Sequence, residues 1–98
     1  MYMKSKHTET STLLAKKLLV AGDIQRLKIM CCIFSDKKVC VSDIAKHIHA
    51  SVATTSHHLQ VLTKEGLLTP VREGKHVCYE LTKTPFAKDL KKLICKYK

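Results

Sequence analysis

The sequence lacks any apolar run long enough to cross a membrane, which excludes a transmembrane helix. Its opening residues, YMKSKHTETST, are too polar for a secretory signal peptide. It has three glycines, two prolines and no repeated tract, so its composition does not indicate a disordered or fibrous chain. Its five cysteines are odd in number and irregularly spaced, unlike a secreted disulfide framework. We therefore expect a cytoplasmic protein whose thiols are mainly reduced.

The sequence does contain a large excess of positive charge. Ninety-eight residues, 45% of them hydrophobic, suffice for one domain with a modest core. The net charge of +10 divides evenly, with 10 basic and 5 acidic residues up to Pro70 and 8 basic and 3 acidic residues after it. A basic body of this kind favours a polyanionic partner, with nucleic acid as the first candidate. The alternative, a membrane-surface protein, lacks a separate lysine-rich amphipathic helix.

Residues 51–66, SVATTSHHLQVLTKEG, predict a helix with an unusual outer face. Ser51 is a good N-cap, and Gly66 is typical of a helix end. Thr55, Leu59 and Leu62 form the face to be buried. The opposite face carries uncharged residues that suit base edges in a DNA major groove. They are Val52, Ala53, Ser56, His57 and Gln60.

A shorter helix precedes this one and completes a helix-turn-helix pattern. Ser42 is the predicted cap of the segment DIAKHI, and His49-Ala50 is a tight link to Ser51. In such a motif the second helix enters the major groove. Ser51 and Thr54 lie at the start of this second helix, so we expect them to bind DNA as well.

Residues 67–81 predict a β-hairpin directly after the second helix. Two short runs of residues alternate between apolar or β-branched and other side chains with period two, as in strands, and residues 72–75 supply the turn between them. We expect one face of the hairpin to carry Leu67, Thr69, Val71, Val77, Tyr79 and Leu81. Whether Leu67 belongs to the first strand or to the helix end is left open. Arg72, Lys75 and His76 at the tip would contact phosphates or a narrow minor groove. This is a winged helix-turn-helix.

The remaining segments predict two helices with unpartnered apolar stripes. One begins at Ser11 or Thr12 and ends at Ala21, after a flexible segment 1–10. A second helix follows a cap at Asp23, and the last begins with Thr84-Pro85. The stripes predict a homodimer through the first and last helices. They consist of Leu13, Leu14 and Leu18, and of Phe86, Leu90, Leu93, Ile94 and Tyr97.

The chain resembles the ArsR/SmtB family of small dimeric winged-helix repressors. The similarity lies in VCVSDIAKHIHASVATTSHHLQVLTKEGLLTPVREGKHVCYEL and in the upstream GDIQRLKIM, and covers roughly residues 18–81. It implies a mainly α fold with a β-hairpin wing, in the order α-α-α-α-β-β-α. It also implies a homodimer on a pseudo-palindromic, double-stranded DNA operator, which a small effector releases so that transcription begins.

The metal sites implied by the resemblance are incomplete in this chain. One family site uses Cys-Val-Cys, and this sequence has Cys40-Val41-Ser42. Another uses Asp and His on the last helix, where Lys83, Pro85 and Lys96 stand instead. A residual site from Cys40, His47 and His49 is a weak alternative, because soft-metal sites need more sulfur ligands. We therefore expect no metal and no cofactor, and keep a metal-responsive repressor as an alternative.

A third family variety senses reactive sulfur or oxidants through one cysteine in the second helix and one in the last. The matching positions are Cys31 and Cys95, with Cys32 as a competitor for the first. Buried free cysteines are, however, common small hydrophobes. An enzyme is not expected, because Cys78 and His76 lack an orienting partner. A winged helix that binds DNA without sequence preference, or binds only proteins, is the other alternative.

Overall fold

The computed structural model describes residues 4–97, with the side chains of residues 10–97. Within these residues the elements are α1 (Lys4–Ala21), α2 (Ile24–Asp36), β1 (Lys38–Cys40), α3 (Val41–Ile48), α4 (Val52–Lys64), β2 (Leu68–Glu73), β3 (His76–Leu81) and α5 (Pro85–Lys96). The three strands form one small antiparallel sheet in the order β1-β3-β2, and the helices pack with it. The predicted mainly α fold with a β-hairpin wing is confirmed, and the short strand β1 extends the hairpin to three strands.

Three of the predicted helix caps are confirmed. The Asp23 carboxylate accepts hydrogen bonds from the backbone N–H groups of Gln25 and Arg26, at 3.0 and 3.1 Å. Ser51 and Thr84 cap α4 and α5 in the same way. Each cap satisfies N–H groups that have no partner within the helix. These side chains fix where α2, α4 and α5 begin.

The structure corrects two helix starts. Helix α1 begins at Lys4, not at Ser11 or Thr12, so residues 4–10, which we expected to be flexible, are helical. No proline or glycine in this segment interrupts the helix. The first three residues of the expected flexible segment lie outside the described residues. Helix α3 has Cys40 as its N-cap, and Ser42, the predicted cap, lies in its first turn.

The inner face of β2 also differs from the prediction. The strand begins at Leu68, which pairs with Leu81 in β3. Leu67, whose place was left open, belongs to the end of α4, where its N–H donates to the Leu62 carbonyl. The strand therefore turns Leu68 toward the core, and Thr69 lies on the opposite, outer face and is exposed. Tyr79 and Leu81 of β3 pack on the core as predicted.

One continuous core joins the helices to the inner face of the sheet. It includes residues from α2, α3, α4, β1, β2 and α5. The fully buried members are Ile29, Met30, Ile33, Ile44, Leu59 and Leu62. Within residues 4–97, no helix is long and apolar enough to span a membrane. The core holds α4 by its inner face and leaves its outer face uncovered.

Candidate nucleic-acid interface

Helix α4 is fixed to the body of the protein along its predicted inner face. Leu59 and Leu62 are fully buried, and so is Thr55. The Thr55 hydroxyl donates to the Ser51 carbonyl at 2.8 Å, so its buried oxygen has a partner. Gly66 ends the helix with a φ of 76°, a left-handed conformation that favours glycine. The helix therefore has one rotational setting relative to the core.

The outer face of α4 is exposed and uncharged. Val52 is 55% exposed, Ser56 is half-buried, and Ala53, Thr54, His57 and Gln60 are exposed. The Ser51 hydroxyl accepts from the Thr54 N–H and donates to the Thr54 hydroxyl, each at 3.0 Å. These two residues are thus partly engaged with each other at the helix start. The face offers methyl, hydroxyl, imidazole and amide groups, which are the groups that can contact base edges.

Two basic residues attach α4 to the neighbouring helices, and the sequence reasoning missed both. Lys17 of α1 donates from Nζ to the Glu65 carbonyl at 2.7 Å, just beyond the last residue of α4. Arg26 of α2 lies 3.4 Å from Nδ1 of His58 and also donates from Nε to the Val20 carbonyl at 2.7 Å. Neither contact has a local sequence signal, because the partners are 48 and 32 residues apart. They connect the orientation of α4 to α1 and α2.

The wing presents its basic residues to solvent. Arg72, Lys75 and His76 are all exposed, and Gly74 turns the hairpin with a φ of 63°. Glu73, beside the turn, is ion-paired with Lys38 of β1. The tip therefore carries its cations on a hairpin that the Lys38–Glu73 ion pair connects to β1, an arrangement suited to phosphate contacts.

A second surface, formed by α1 and α5, is apolar and uncovered. Leu13, Leu18, Leu93 and Tyr97 are 62%, 49%, 52% and 76% exposed. Leu14 is also exposed, whereas Phe86 and Ile94 are half-buried and Leu90 is buried at 6% exposure. A groove of about 450 Å³ lies between α1, α2 and α5, lined by Leu18, Leu27, Cys31, Leu90, Leu93 and Tyr97 among others. Large exposed apolar surfaces of this kind mark protein–protein contacts.

The structure separates the five cysteines into two groups. Cys40 and Cys78 are joined by a disulfide between β1 and β3. Cys31, Cys32 and Cys95 are not disulfide-bonded. Cys31 lines the groove beside α5, whereas Cys32 is buried in the core, so Cys31 is the better placed of the two for the predicted pair. Cys95 is exposed. The structure thus joins a different pair from the predicted one.

The structure groups possible metal ligands differently from the alternative site suggested by the sequence. His47 and His49 are exposed on α3 and at its end. Within residues 10–97, the grouping of possible ligands is Cys40, Glu73 and Cys78, whose ligand atoms lie within 4.8 Å of one another. The disulfide occupies both sulfur atoms of this group. This group therefore shares Cys40 with the weak alternative site of Cys40, His47 and His49, and its other two ligands differ.

Comparison with known proteins agrees with the fold. Residues 23–69 match the family model for bacterial regulatory proteins of the arsR family. The chain is similar to the cadmium resistance transcriptional regulatory protein CadC of Listeria innocua, with 47% identity over 60 residues, 61% of this chain and 50% of CadC. It thus matches only about half the length of that relative.

Two solved structures have the same fold. The transcriptional regulator HlyU of Vibrio vulnificus is 27% identical, with a TM-score of 0.77 and coverage of 97% of this chain and 98% of HlyU. The homodimeric winged helix-turn-helix DNA-binding domain of Mycobacterium bovis Mb0332 has a TM-score of 0.79 at 22% identity, covering 94% of this chain and 81% of that one.

Proposed function

Because the chain carries a regulatory domain of the bacterial arsR family, we propose that it is a homodimeric, sequence-specific transcriptional repressor. The observation that carries this proposal is the exposed, uncharged face of α4 beside a wing with a basic tip. Such a protein acts on DNA in the cytoplasm and needs no enzymatic activity.

Two kinds of DNA contact follow from the two surfaces. Val52, Ala53, Ser56, His57 and Gln60 would contact base edges from α4, with Ser51 and Thr54 at its start near the backbone. Arg72, Lys75 and His76 would hold phosphates from the wing. The net charge of +10 would attract any duplex, so discrimination must come from α4.

A dimer is required for this mode of binding. Two copies related by a two-fold axis place two α4 helices in successive major grooves, about 34–36 Å apart. The apolar surface of α1 and α5 is the proposed contact between the copies, because it has no partner within the described residues of one chain. The symmetry of the dimer predicts a pseudo-palindromic operator.

Selection from a randomised duplex library tests the proposal. We expect a pseudo-palindrome to be enriched, and to be bound at least about 1,000-fold more tightly than a scrambled duplex at the same salt concentration. Equal affinity for the selected and scrambled duplexes would instead indicate a DNA-binding protein without sequence preference. No affinity for either would indicate a winged helix that binds only proteins.

The effector is proposed to act through thiols. Cys31 faces the groove beside α5, and a reactive sulfur species that linked it to Cys95 would alter the packing of α2 against α5. A disulfide needs Cα atoms about 4.4–6.8 Å apart, and a polysulfide link relaxes that limit. Peptide mapping after treatment with a persulfide donor tests this pair, with Cys32→Ser as the matched control.

A metal-responsive repressor is the second candidate. It is favoured by the similarity to a cadmium resistance regulator and by the grouping of Cys40, Glu73 and Cys78. In the reduced protein, two thiolates and a carboxylate would suit a thiophilic divalent cation. The family sites described above remain incomplete, since Ser42 and Lys83 cannot replace their ligands.

A further inference from the structure

Cys40 and Cys78 lie at the junction between the helix-turn-helix and the wing. Cys40 is the last residue of β1 and the N-cap of α3, the first helix of the motif. Cys78 lies in β3, the central strand of the sheet, directly opposite Cys40. The bond between them spans 38 residues of sequence. It therefore connects the start of the helix-turn-helix to the strand that carries the wing.

The two cysteines lie on the outer face of the sheet, away from the core. In β1 and β3, Val39 and Tyr79 pack on the core, and side chains alternate between the two faces. Cys40 and Cys78 consequently share the outer face with Lys38 and Glu73, which are ion-paired. Cys78 is 1% exposed, yet it does not belong to the continuous core cluster. Filling the core therefore does not account for this pair of thiols.

We propose that Cys40 and Cys78 form a reversible dithiol–disulfide site, oxidised by hydroperoxides, whose disulfide lowers the affinity of the protein for its operator. The proposal rests on the function proposed above, because it names a regulator of the same DNA-binding surface. It is independent of Cys31 and Cys95, which lie on α2 and α5.

The chemistry needs only the two thiols, one carboxylate and one peroxide. Cys40 is half-buried and therefore the more accessible sulfur. Its thiolate attacks a peroxide oxygen, the O–O bond breaks, and Cys40 sulfenic acid and one water (or alcohol) form. The Cys78 thiol then attacks the sulfenic sulfur, the S–O bond breaks, and a second water leaves. The two thiols lose two electrons and two protons, and the peroxide gains both.

Glu73 is placed to take part in the second step. Its Oε1 lies 3.8 Å from Cys78 Sγ, close enough to receive the thiol proton before Cys78 attacks. Lys38 of β1 pairs with the same carboxylate from the far side of β3 and holds it near the sulfurs. Glu73 is thus a positioning and proton-accepting residue for the slower, buried cysteine.

The consequence for DNA binding follows from the position of the bond. In the proposed complex, Arg72 and Lys75 contact phosphates while α4 lies in the groove, so the position of the wing relative to α3 and α4 decides whether both contacts form together. A covalent link between β3 and the residue that caps α3 holds that position fixed. We expect the oxidised protein to bind the operator at least about fivefold more weakly, which is the lower end of typical coupling between sites.

The test compares reduced and peroxide-treated full-length protein. Free thiols are blocked with N-ethylmaleimide after treatment, linked peptides are mapped, and affinity is measured for the operator selected as described above. We expect a Cys40–Cys78 peptide and weaker binding, both reversed by dithiothreitol. Cys40→Ser should keep full affinity and lose the response, whereas Cys95→Ser, the matched control, should keep the response. Cys78→Ala should likewise lose the response to peroxide. Its thermal unfolding shows whether the variant still folds without the buried thiol.

Three results would overturn the proposal. In the first, the linked peptide forms without any change in affinity. In the second, affinity changes equally in Cys40→Ser. In the third, peroxide forms no link and reduced protein binds Cd²⁺ with a stoichiometry that Glu73→Gln abolishes, which would assign the site to a metal. If reduced wild type binds no operator, the proposed function fails, but the peptide map still reports on the thiol chemistry.

Discussion

Lys17 donates a hydrogen bond from its ammonium group to the main-chain carbonyl of Glu65, 2.7 Å away, and so attaches α1 to the end of α4. Helix α1 also carries part of the apolar surface proposed for dimerisation. A shift of α1 in the dimer would therefore be transmitted to α4 directly, without passing through the core. This contact gives a structural route from the proposed dimer interface to the helix proposed to read DNA.

The first prediction concerns this contact. Lys17→Met keeps the apolar stem and removes the donor, so we expect a loss of about 1 kcal/mol in the free energy of unfolding. Operator affinity should fall as well, because the end of α4 becomes less fixed. Lys16→Met is the matched control. Lys16 pairs with Glu65 at 3.6 Å, but its side chain is 63% exposed, so its contribution should be small. Equal effects of the two substitutions would contradict a specific role for Lys17.

The second prediction concerns acid stability. Hydrogen bonding to the backbone N–H of Arg26 lowers the pKa of the Asp23 carboxyl, with smaller contributions from the charges of Arg26 and His58. A lowered folded-state pKa means that this stabilisation is present above the unfolded-state value of about 3.9 and is lost as pH falls through the folded-state value.

Asp23→Ala should therefore lower the free energy of unfolding by about 1 kcal/mol at neutral pH. The difference in this free energy between Asp23→Ala and wild type should become smaller in acid. Asp23→Asn is the matched control, since asparagine caps about as well but does not titrate. The free energy of unfolding of Asp23→Asn should remain near that of wild type at neutral pH. It should lack the part of the pH dependence that comes from the titration of Asp23. Urea unfolding at pH 7 and pH 3 provides the measurement. A difference for Asp23→Ala that does not change with pH would show that the charge of Asp23 is unimportant.

The third prediction separates base contacts from phosphate contacts. His57→Ala should weaken the free energy of binding to the selected operator by about 1–3 kcal/mol and relax the base preference at one position of that operator. Lys75→Ala should weaken all duplexes similarly and reduce the slope of log K against log salt by about one. Binding titrations on the operator and a scrambled duplex at several salt concentrations distinguish the two. Unchanged discrimination in both His57→Ala and Ser56→Ala would mean that another face of α4 reads the DNA.

Three helix caps and one helix end, which depend on nearby residues, could be predicted from the sequence, whereas the starts of α1 and α3 could not. The caps at Asp23, Ser51 and Thr84 and the left-handed Gly66 each involve partners two to five positions away. The exposed face of α4 was predictable for the same reason, since helical periodicity alone separates it from Leu59 and Leu62.

Features that depend on strand pairing could not be predicted in this way. The face of β2 that carries Thr69 and Val71 was assigned wrongly, because the strand begins at Leu68 and a shift of one residue exchanges the faces of a strand. The Cys40–Cys78 bond depends on β1 pairing with β3 rather than β2, which the local pattern does not specify. The family resemblance indicates Cys31 and Cys95 instead. The contacts of Lys17 and Arg26 could not be predicted either, because their partners are 48 and 32 residues away in the sequence.

The last prediction concerns the dimer, and the structure decides which residues can test it. Leu90 and Leu93 both belong to the apolar stripe of α5, but Leu90 is 6% exposed within one chain. Replacing Leu90 with lysine would bury a charge and unfold the monomer, so a loss of dimer would mean little. Leu93 and Leu18 are 52% and 49% exposed and line the same groove, so the single chain should tolerate lysine at both.

We expect the double variant Leu18→Lys/Leu93→Lys to sediment as a monomer, to melt cooperatively with native-like helix content, and to lose operator binding. Four like charges would face each other across a two-fold interface that excludes water. Val52→Lys is the matched control, because Val52 is an equally exposed apolar residue, at 55%, on the face of α4 proposed to read DNA. It should remain dimeric while its operator preference changes. A Leu18→Lys/Leu93→Lys protein that stays dimeric would place the interface elsewhere on the chain.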